Sequence, residues 1–314
     1  MSDARLTPSL FSVARGLSPT KVMGILNVTE DSFSDGGSNP DTGTAVRNAR
    51  AMLLAGAEII DIGGESTRPG ATRVSPETEA ARVVPVVREL AELAQESTSR
   101  PFATSIDTMR ASTARMALDA GATYINDVSG GLADPDMLSV CADFGCPVIL
   151  MHWDKDWGGA SARVGAEGYR DHGMDIVTEV STWLLSRVEE AEKRGVDKKK
   201  IYLDPGIGFA KSPRDNWQLL RGLDRIVDLG FPVLVGASRK RFLTALRPGA
   251  DGNPGTPESA DDATAAVTSL SAMAGAWAVR VHNVAPSKAA VDVIHAARTG
   301  DGPQVAEEWR AKRG

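Results

Sequence analysis

Polar and charged residues recur in this sequence at the ends of short apolar runs, and their types are those that bind and position a charged, hydrogen-bonding substrate. Asn27 closes one run; Asp107, Asn126 with Asp127, Met151 with His152, and Asp204 close others. Another run ends at Gly63, with Glu65 and Arg68 just beyond it, and the last two carry Ser238 with Lys240 and Arg280 with His282. Ionised groups are costly to bury unless they are paired or bound to a ligand. Converging on one place, this set would be a site. Any single member, such as Asp61 or Asp127, can instead cap a helix or pair with a nearby arginine, so the argument rests on the set.

Asp107, Asn126 and Asp204 come from three separate runs. A carboxylate accepts two parallel N–H bonds, such as those of a pterin or guanine 2-amino group and N3–H. An asparagine amide donates and accepts along another edge, and Lys240 can donate to ring acceptors. The set suits a planar heterocycle dense in hydrogen-bonding groups. A hard cation held by two carboxylates and an amide is the competing reading, and three separate segments suit it less well. Cationic groups gather at the last two runs, as Lys240, Arg280 and His282. Ser238 reads as the N-cap of a helix whose free N–H groups would receive a phosphate or carboxylate. Arg239 and Arg241 read as solvated surface.

The runs that carry these residues are Val22–Asn27, Glu58–Ile62, Phe102–Asp107, Thr123–Asp127, Val148–Met151, Lys200–Asp204, Val233–Gly236 and Trp277–His282. Their length is that of buried parallel strands. Helical stretches alternate with them: Gly43–Ala55, Pro76–Gln95, Arg110–Ala120, Asp134–Phe144, Tyr169–Arg194, Pro213–Leu229, Asp261–Gly275 and Pro286–Arg298. Eight strand–helix units without a duplicated domain predict an α/β fold, a single-domain (β/α)8 TIM barrel over residues 20–300. An irregular extension (1–19) precedes it and a tail (301–314) follows. A doubly wound open sheet would call for a glycine-rich turn after the first strand; Asn27-Val28-Thr29 stands there instead. In a barrel, the strand ends bearing the polar set form the catalytic face, and the last two strands are the usual phosphate seat.

Three strand-to-helix connections are long, as functional loops often are: Val28 to about Asp41, Gly63 to about Ser75, and Asp154 to about Gly168. The Pro- and Gly-rich stretch Arg247–Asp262 reads as a mobile insertion between a short helix and a longer one. His172 and His295 read as surface residues, His152 as lying behind the site, and Trp183, Trp217 and Trp277 as core packing. Two cysteines, Cys141 and Cys146, match no metal spacing or disulfide framework and read as small apolar side chains. A net charge of −6 argues against nucleic acid as a partner. No apolar run reaches membrane-spanning length, and no signal peptide is evident.

The motifs GILNVTEDSFSDGG (24–37), DIGGESTRPGA (61–71), SIDT (105–108), NDVSGG (126–131), LMHW (150–153), LDPGIGFAK (203–211), VGASRKRF (235–242) and VRVHNV (279–284) together resemble the dihydropteroate synthase family, over nearly the whole chain. The resemblance implies transfer of a 7,8-dihydropterin-6-ylmethyl group from its pyrophosphate to 4-aminobenzoate in folate synthesis, by an SN1-like substitution. It also implies Mg2+, a homodimer in the cytoplasm, and sulfonamides as competitive inhibitors. The implied pterin set is Asp107, Asn126, Met151, Asp204, Lys240 and Arg280. Asn27, Arg68, Arg280 and His282 would hold the pyrophosphate, with the metal at Asn27. Phe33, Thr67, Arg68, Pro69, Phe209, Ser238 and Lys240 would form the arylamine pocket. Asp35, Arg68, Lys240, Arg280 and His282 would be catalytic, with Phe33, Ser34 and Asp35 on the first mobile loop. The sequence departs from the family motif at position 283, where Asn replaces the common Asp. A non-catalytic pterin-binding relative and a pterin-dependent methyltransferase on a related barrel are the alternatives.

Overall fold

A computed structural model describes residues 18–29, 42–66, 73–96, 101–153 and 175–303. Its centre is one sheet of parallel strands: β1 Lys21–Asn27, β2 Ile59–Gly63, β3 Ala103–Asp107, β4 Tyr124–Asp127, β5 Val148–Met151, β6 Ile201–Asp204, β7 Leu234–Val235 and β8 Ala278–Val281. Hydrogen bonding runs in the order β6-β5-β4-β3-β2-β1-β8-β7. A parallel bridge between Leu203 and Val233 joins the two end strands, and the Leu203 N–H donates to Pro232 O at 2.9 Å. The sheet thus closes into the expected (β/α)8 barrel.

Helices α1 Thr42–Leu54, α2 Pro76–Glu96, α3 Ala111–Asp119, α4 Met137–Phe144, α5 Ile176–Lys193, α6 Pro213–Arg221, α7 Leu223–Val227, α8 Arg241–Thr244, α9 Asp261–Ala274 and α10 Val284–Thr299 surround it. Their alanine-, valine- and leucine-rich faces and the outward faces of the strands form the larger apolar cluster. A smaller cluster of Met23, Ile59, Ile149, Leu234 and Ala278, backed by Ala103, Tyr202 and Trp277, draws only on the strands and their edges. It fills the lower lumen. Side chains alternate along a strand, so residues two or four positions further on also face the lumen, nearer its C-terminal mouth. Asn27, Asp61, Gly63, Ser105, Asp107, Asn126, Met151, Asp204, Gly236, Arg280 and His282 occupy those positions.

Two of the departures from the predicted helix boundaries have a direct physical cause. Pro213–Leu229 breaks into α6 and α7 at Gly222, where a Cβ would lie 2.8 Å from Val177 Cγ2 on α5. The close helix approach requires glycine there, and glycine interrupts the helix. Helix α4 begins at Met137, not Asp134, because the Asp134 carboxylate accepts from the Ala111 N–H at 2.8 Å and so fastens the start of α3. The 247–262 segment contains a Pro248–Pro254 antiparallel bridge and leads into α9. No helix among the described residues is long and apolar enough to cross a membrane.

Candidate functional site

The mouth of the lumen is organised by one guanidinium. Arg280 Nε donates to Asp61 Oδ2 at 2.5 Å, and Arg280 Nη2 donates to Asp107 Oδ2 at 2.6 Å. Asn126 Nδ2 donates to the same Asp61 oxygen at 3.1 Å. Strands β2, β3, β4 and β8 are thereby tied at one level. Asp61 is fully buried. Its Oδ1 and the hydroxyl of Ser105, its register partner on β3, are buried with no hydrogen-bond partner among the described residues. Burial pushes the Asp107 carboxyl up to about 7, although Arg280 pulls it down. Burial opposes the charge on Arg280, but Asp61 and Asp107 hold its pKa above the usual arginine value.

The opposite side of the mouth is built on the loop after β6. Asp204 Oδ1 accepts from the Gly206 N–H at 2.7 Å. Lys240 Nζ donates to Ile207 O, and its ammonium lies 4.3 Å from the centre of the Phe209 ring. A Cβ on Gly208 would stand 2.2 Å from Lys240 Cδ, so only glycine lets the lysine stem pass. Burial raises the Asp204 pKa, and Lys240 works against that rise. Burial lowers the Lys240 pKa to about 7, with Asp204 opposing it. Met109, Val128 and Met151, with Phe209 packed against them, form an apolar wall.

Glycines leave room between the two sides. A Cβ at Gly63 would lie 3.8 Å from both Asn27 Oδ1 and Asp107 Oδ2, and one at Gly236 would lie 3.7 Å from Asp204 Oδ2 and 3.9 Å from Arg280 Cβ. Neither position clashes, so a methyl group there would be tolerated by the unliganded fold yet would intrude on the space between the polar groups. Gly236→Ala should therefore leave the melting temperature nearly unchanged while weakening binding of a planar ligand in the mouth by about 1–3 kcal/mol, the scale of overpacking. Parallel thermal melts and binding titrations check this.

At the ends of β7 and β8, Ser238 Oγ and His282 Nδ1 are 3.0 Å apart, and the His282 N–H donates to Ser238 Oγ at 3.2 Å. Ser238 is not an N-cap, contrary to the sequence reading. Helix α8 starts at Arg241, and its N-cap residue is Lys240, whose side chain makes no capping hydrogen bond. Arg239 is also not a solvated surface residue. It holds a left-handed backbone conformation, with φ 59°, and makes a two-pronged ion pair to Asp261 at 2.7 and 2.9 Å. Asn283 Nδ2 donates to the same carboxylate at 2.9 Å. The asparagine that departs from the family pattern thus supplies a donor where an aspartate would oppose Asp261.

The described part of the structure therefore brings together Asn27, Asp107, Asn126, Met151, Asp204, Phe209, Ser238, Lys240, Arg280 and His282. Phe33, Ser34, Asp35, Thr67, Arg68, Pro69 and His172 lie outside the described residues. Glu65 does not join the mouth. Arg110 donates to it at 2.8 Å, and the Val74 N–H donates to it at 3.0 Å. Arg110 also bonds Glu79 at 2.6 Å, tying the ends of the second loop to α2. Asp127 is structural as well, accepting from Ser129 and Gly131. Trp277 packs on Tyr124 and Tyr202 in the lower lumen, as expected of a core residue, whereas Trp217 is 38% exposed.

Comparison with known proteins bears on what this arrangement does. A family model described as pterin binding enzyme matches residues 23–282. Dihydropteroate synthase of Mycobacterium leprae (strain TN) is 47% identical over 289 residues, covering 92% of this chain and 97% of that protein. The structure of Xanthomonas albilineans dihydropteroate synthase with 4-aminobenzoic acid superposes with a TM-score of 0.78 at 41% identity, covering 90% of this chain and 94% of that one. The Yersinia pestis dihydropteroate synthase, solved as a sulfonamide drug complex, gives a TM-score of 0.78 at 38% identity over 90% of this chain and 96% of its own.

Proposed function

The chain belongs to the dihydropteroate synthase family of pterin-binding enzymes, and from that premise we propose that the mouth of the lumen holds a dihydropterin pyrophosphate and passes its pterinylmethyl group to 4-aminobenzoate. One observation carries the assignment of roles: Asp107, Asn126, Asp204, Lys240 and Arg280, from separate strands and loops, meet around space kept open by Gly63 and Gly236. The Asp204 oxygen facing Gly236 accepts from the pterin 2-amino and N3–H edge. Asn126 and Lys240 meet the ring's other polar atoms, Met151 supports a face, and Arg280 spans ring and diphosphate. Asn27 and His282 hold the diphosphate, with Ser238 steadying the His282 ring.

The reaction breaks the bond between the methylene carbon and the diphosphate oxygen, and the electron pair leaves with the diphosphate. The dihydropterin carries the positive charge until the arylamine nitrogen attacks and loses a proton. Catalysis of this kind is charge stabilisation and positioning; Arg280 and His282 supply the charge. Phe209 and the Lys240 ammonium over it form one wall for the arylamine, whose carboxylate lies toward Ser238. Phe33, Asp35, Thr67, Arg68 and Pro69, which lie outside the described residues, are assigned to the arylamine and catalytic groups on the family resemblance alone.

Mg2+ fits this site on its donor chemistry. No group of three or more acidic, His or Cys side chains among the described residues could hold an ion, and magnesium commonly keeps its waters and phosphate ligands and takes few protein oxygens. The Asn27 amide oxygen, beside Asp107 across Gly63, is the protein ligand we assign. When bound, the ion neutralises charge developing on the diphosphate. On the same family premise we expect a cytoplasmic homodimer, with sulfonamides competing for the arylamine subsite. The test is turnover: purified protein with Mg2+, the pterin pyrophosphate and 4-aminobenzoate should form dihydropteroate and diphosphate in equal amounts. Pterin binding without product, or methyl transfer to a corrinoid, would refute the assignment.

A pH dependence follows from Asp107. Its carboxylate must be ionised to accept from a ligand, so pterin affinity should fall as pH drops through about 7. The unliganded protein should show the opposite trend. A raised folded-state pKa means the fold favours the protonated acid, so this contribution to stability is present at low pH and lost as pH rises through about 7. Calorimetric titrations and melts across neutrality, repeated with Asp107→Asn, check both signs; the variant should lose the Asp107 part of each dependence and keep the part contributed by Lys240, which also titrates near 7.

A further inference from the structure

Lys211 has no role in the account so far, yet it is one of the most constrained cations in the molecule. Only 5% of it is exposed. Its Nζ lies 3.0 Å from Gly206 O, 3.0 Å from Phe209 O and 3.0 Å from His152 Nδ1. Those acceptors match the three N–H groups of an ammonium. Donation by the ammonium makes Nδ1 of His152 an acceptor, which places the ring's proton on Nε2. The His152 N–H in turn donates to Asp204 O at 2.9 Å.

The segment that Lys211 grips has a backbone that local preferences disfavour. Gly206, Gly208 and Ala210 all have positive φ, at 66°, 79° and 48°, a costly conformation for the alanine in particular. The same short loop presents three elements of the mouth: the Gly206 N–H that fixes Asp204, the Ile207 carbonyl that receives Lys240, and the Phe209 ring beneath Lys240. Asn216 fastens the loop from behind, accepting from the Gly208 N–H at 2.6 Å. Lys211 clamps both ends of the segment while Lys240 rests on its front.

We propose that Lys211 is a positioning residue for the transfer reaction, holding the Gly206–Phe209 loop so that Phe209 and Lys240 form the arylamine wall and Asp204 keeps its orientation toward the pterin. This inference rests on the assignment of those three residues to the two substrates. The Lys211 charge also lowers the pKa values of both Asp204 and Lys240, so a role in the site has a consequence that a role in folding alone lacks.

The experiment compares Lys211→Met and Lys211→Arg with the full-length wild type, measuring KM for 4-aminobenzoate, kcat, pterin affinity and the pH profile. Methionine keeps the length and loses the charge and the clamp; KM for 4-aminobenzoate should rise about ten- to a hundredfold, the scale of a small misplacement. The pH limb that Lys240→Met abolishes should move upward, because a neighbouring positive charge has gone. Arginine keeps the charge with a planar fork unsuited to three acceptors arranged around one nitrogen; KM should rise while the limb stays in place. A folded Lys211→Met protein with wild-type KM and an unmoved limb overturns the inference. If Lys211→Met fails to fold, Lys211→Arg decides alone, and an unchanged KM overturns it. Wild-type protein that makes no dihydropteroate would instead overturn the functional assignment, an outcome read before any variant is made.

Discussion

Replacing Asp204 with asparagine should weaken binding of the pterin pyrophosphate by about 2–4 kcal/mol, the cost of an unpaired buried polar group with a charged partner at stake. The two carboxylate oxygens have different neighbours. Oδ1 takes the Gly206 N–H at 2.7 Å, and Oδ2 faces the opening at Gly236. An asparagine has one acceptor oxygen, so its amide NH2 must face either the Gly206 N–H or the N–H edge of the pterin. In the first case the loop after β6 loses its anchor, and in the second a donor meets a donor. Calorimetry measures the loss directly. Unchanged affinity would remove Asp204 from the pterin site, and an equal loss in melting stability would assign it a purely structural role.

The second large effect is expected at Arg280. Its side chain is 18% exposed, while those of its partners Asp61 and Asp107 are 0% and 7% exposed. Arg280→Met would leave two buried carboxylates without their cation, which should cost about 3–5 kcal/mol of stability. The same change should cut turnover about a hundred- to a thousandfold, by analogy with loss of one preorganised donor to a developing negative charge. The two effects separate in a double variant. Adding Asp107→Asn removes one of the stranded charges and should recover part of the stability but none of the turnover. Additive stability losses would mean that the pair is not coupled in the way its geometry indicates.

Much of this was legible before any coordinates. Parallel strands buried on both faces read as short apolar runs, and the polar residues at their ends stood out because they interrupt that pattern; Asn27, Asp107, Asn126, Asp204, Arg280 and His282 were found in this way. The structure adds what spacing along the chain cannot carry. Asp61 looked like any acid near a strand end, yet it bonds both Arg280 and Asn126, whose distances from it in sequence are 219 and 65 residues. Gly63 and Gly236 are informative only once their neighbours are known, because the absence of a side chain matters where several polar groups converge. Ser238 satisfied the composition of an N-cap, but the His282 ring at the end of the neighbouring strand β8 competes for its hydroxyl. Arg239 looked solvated because its partner, Asp261, is 22 residues further on, at the start of α9 and the end of the 247–262 segment. Lys211 stood inside a quoted motif without a role, since nothing in the sequence distinguishes a lysine that folds back onto carbonyls from one that points to solvent.

The central claim is that one ring of hydrogen-bonding groups in the barrel mouth receives the pterin. A crystal structure of the protein with the pterin pyrophosphate, Mg2+ and 4-aminobenzoate tests it most directly. The account predicts the pterin edge on Asp204, with Asn126, Lys240 and Asp107 around the ring and the diphosphate between Arg280, His282 and Asn27. A pterin bound elsewhere, with Arg280 still joined to Asp61 and Asp107 and no ligand atom within hydrogen-bonding reach of Asp204, would contradict it.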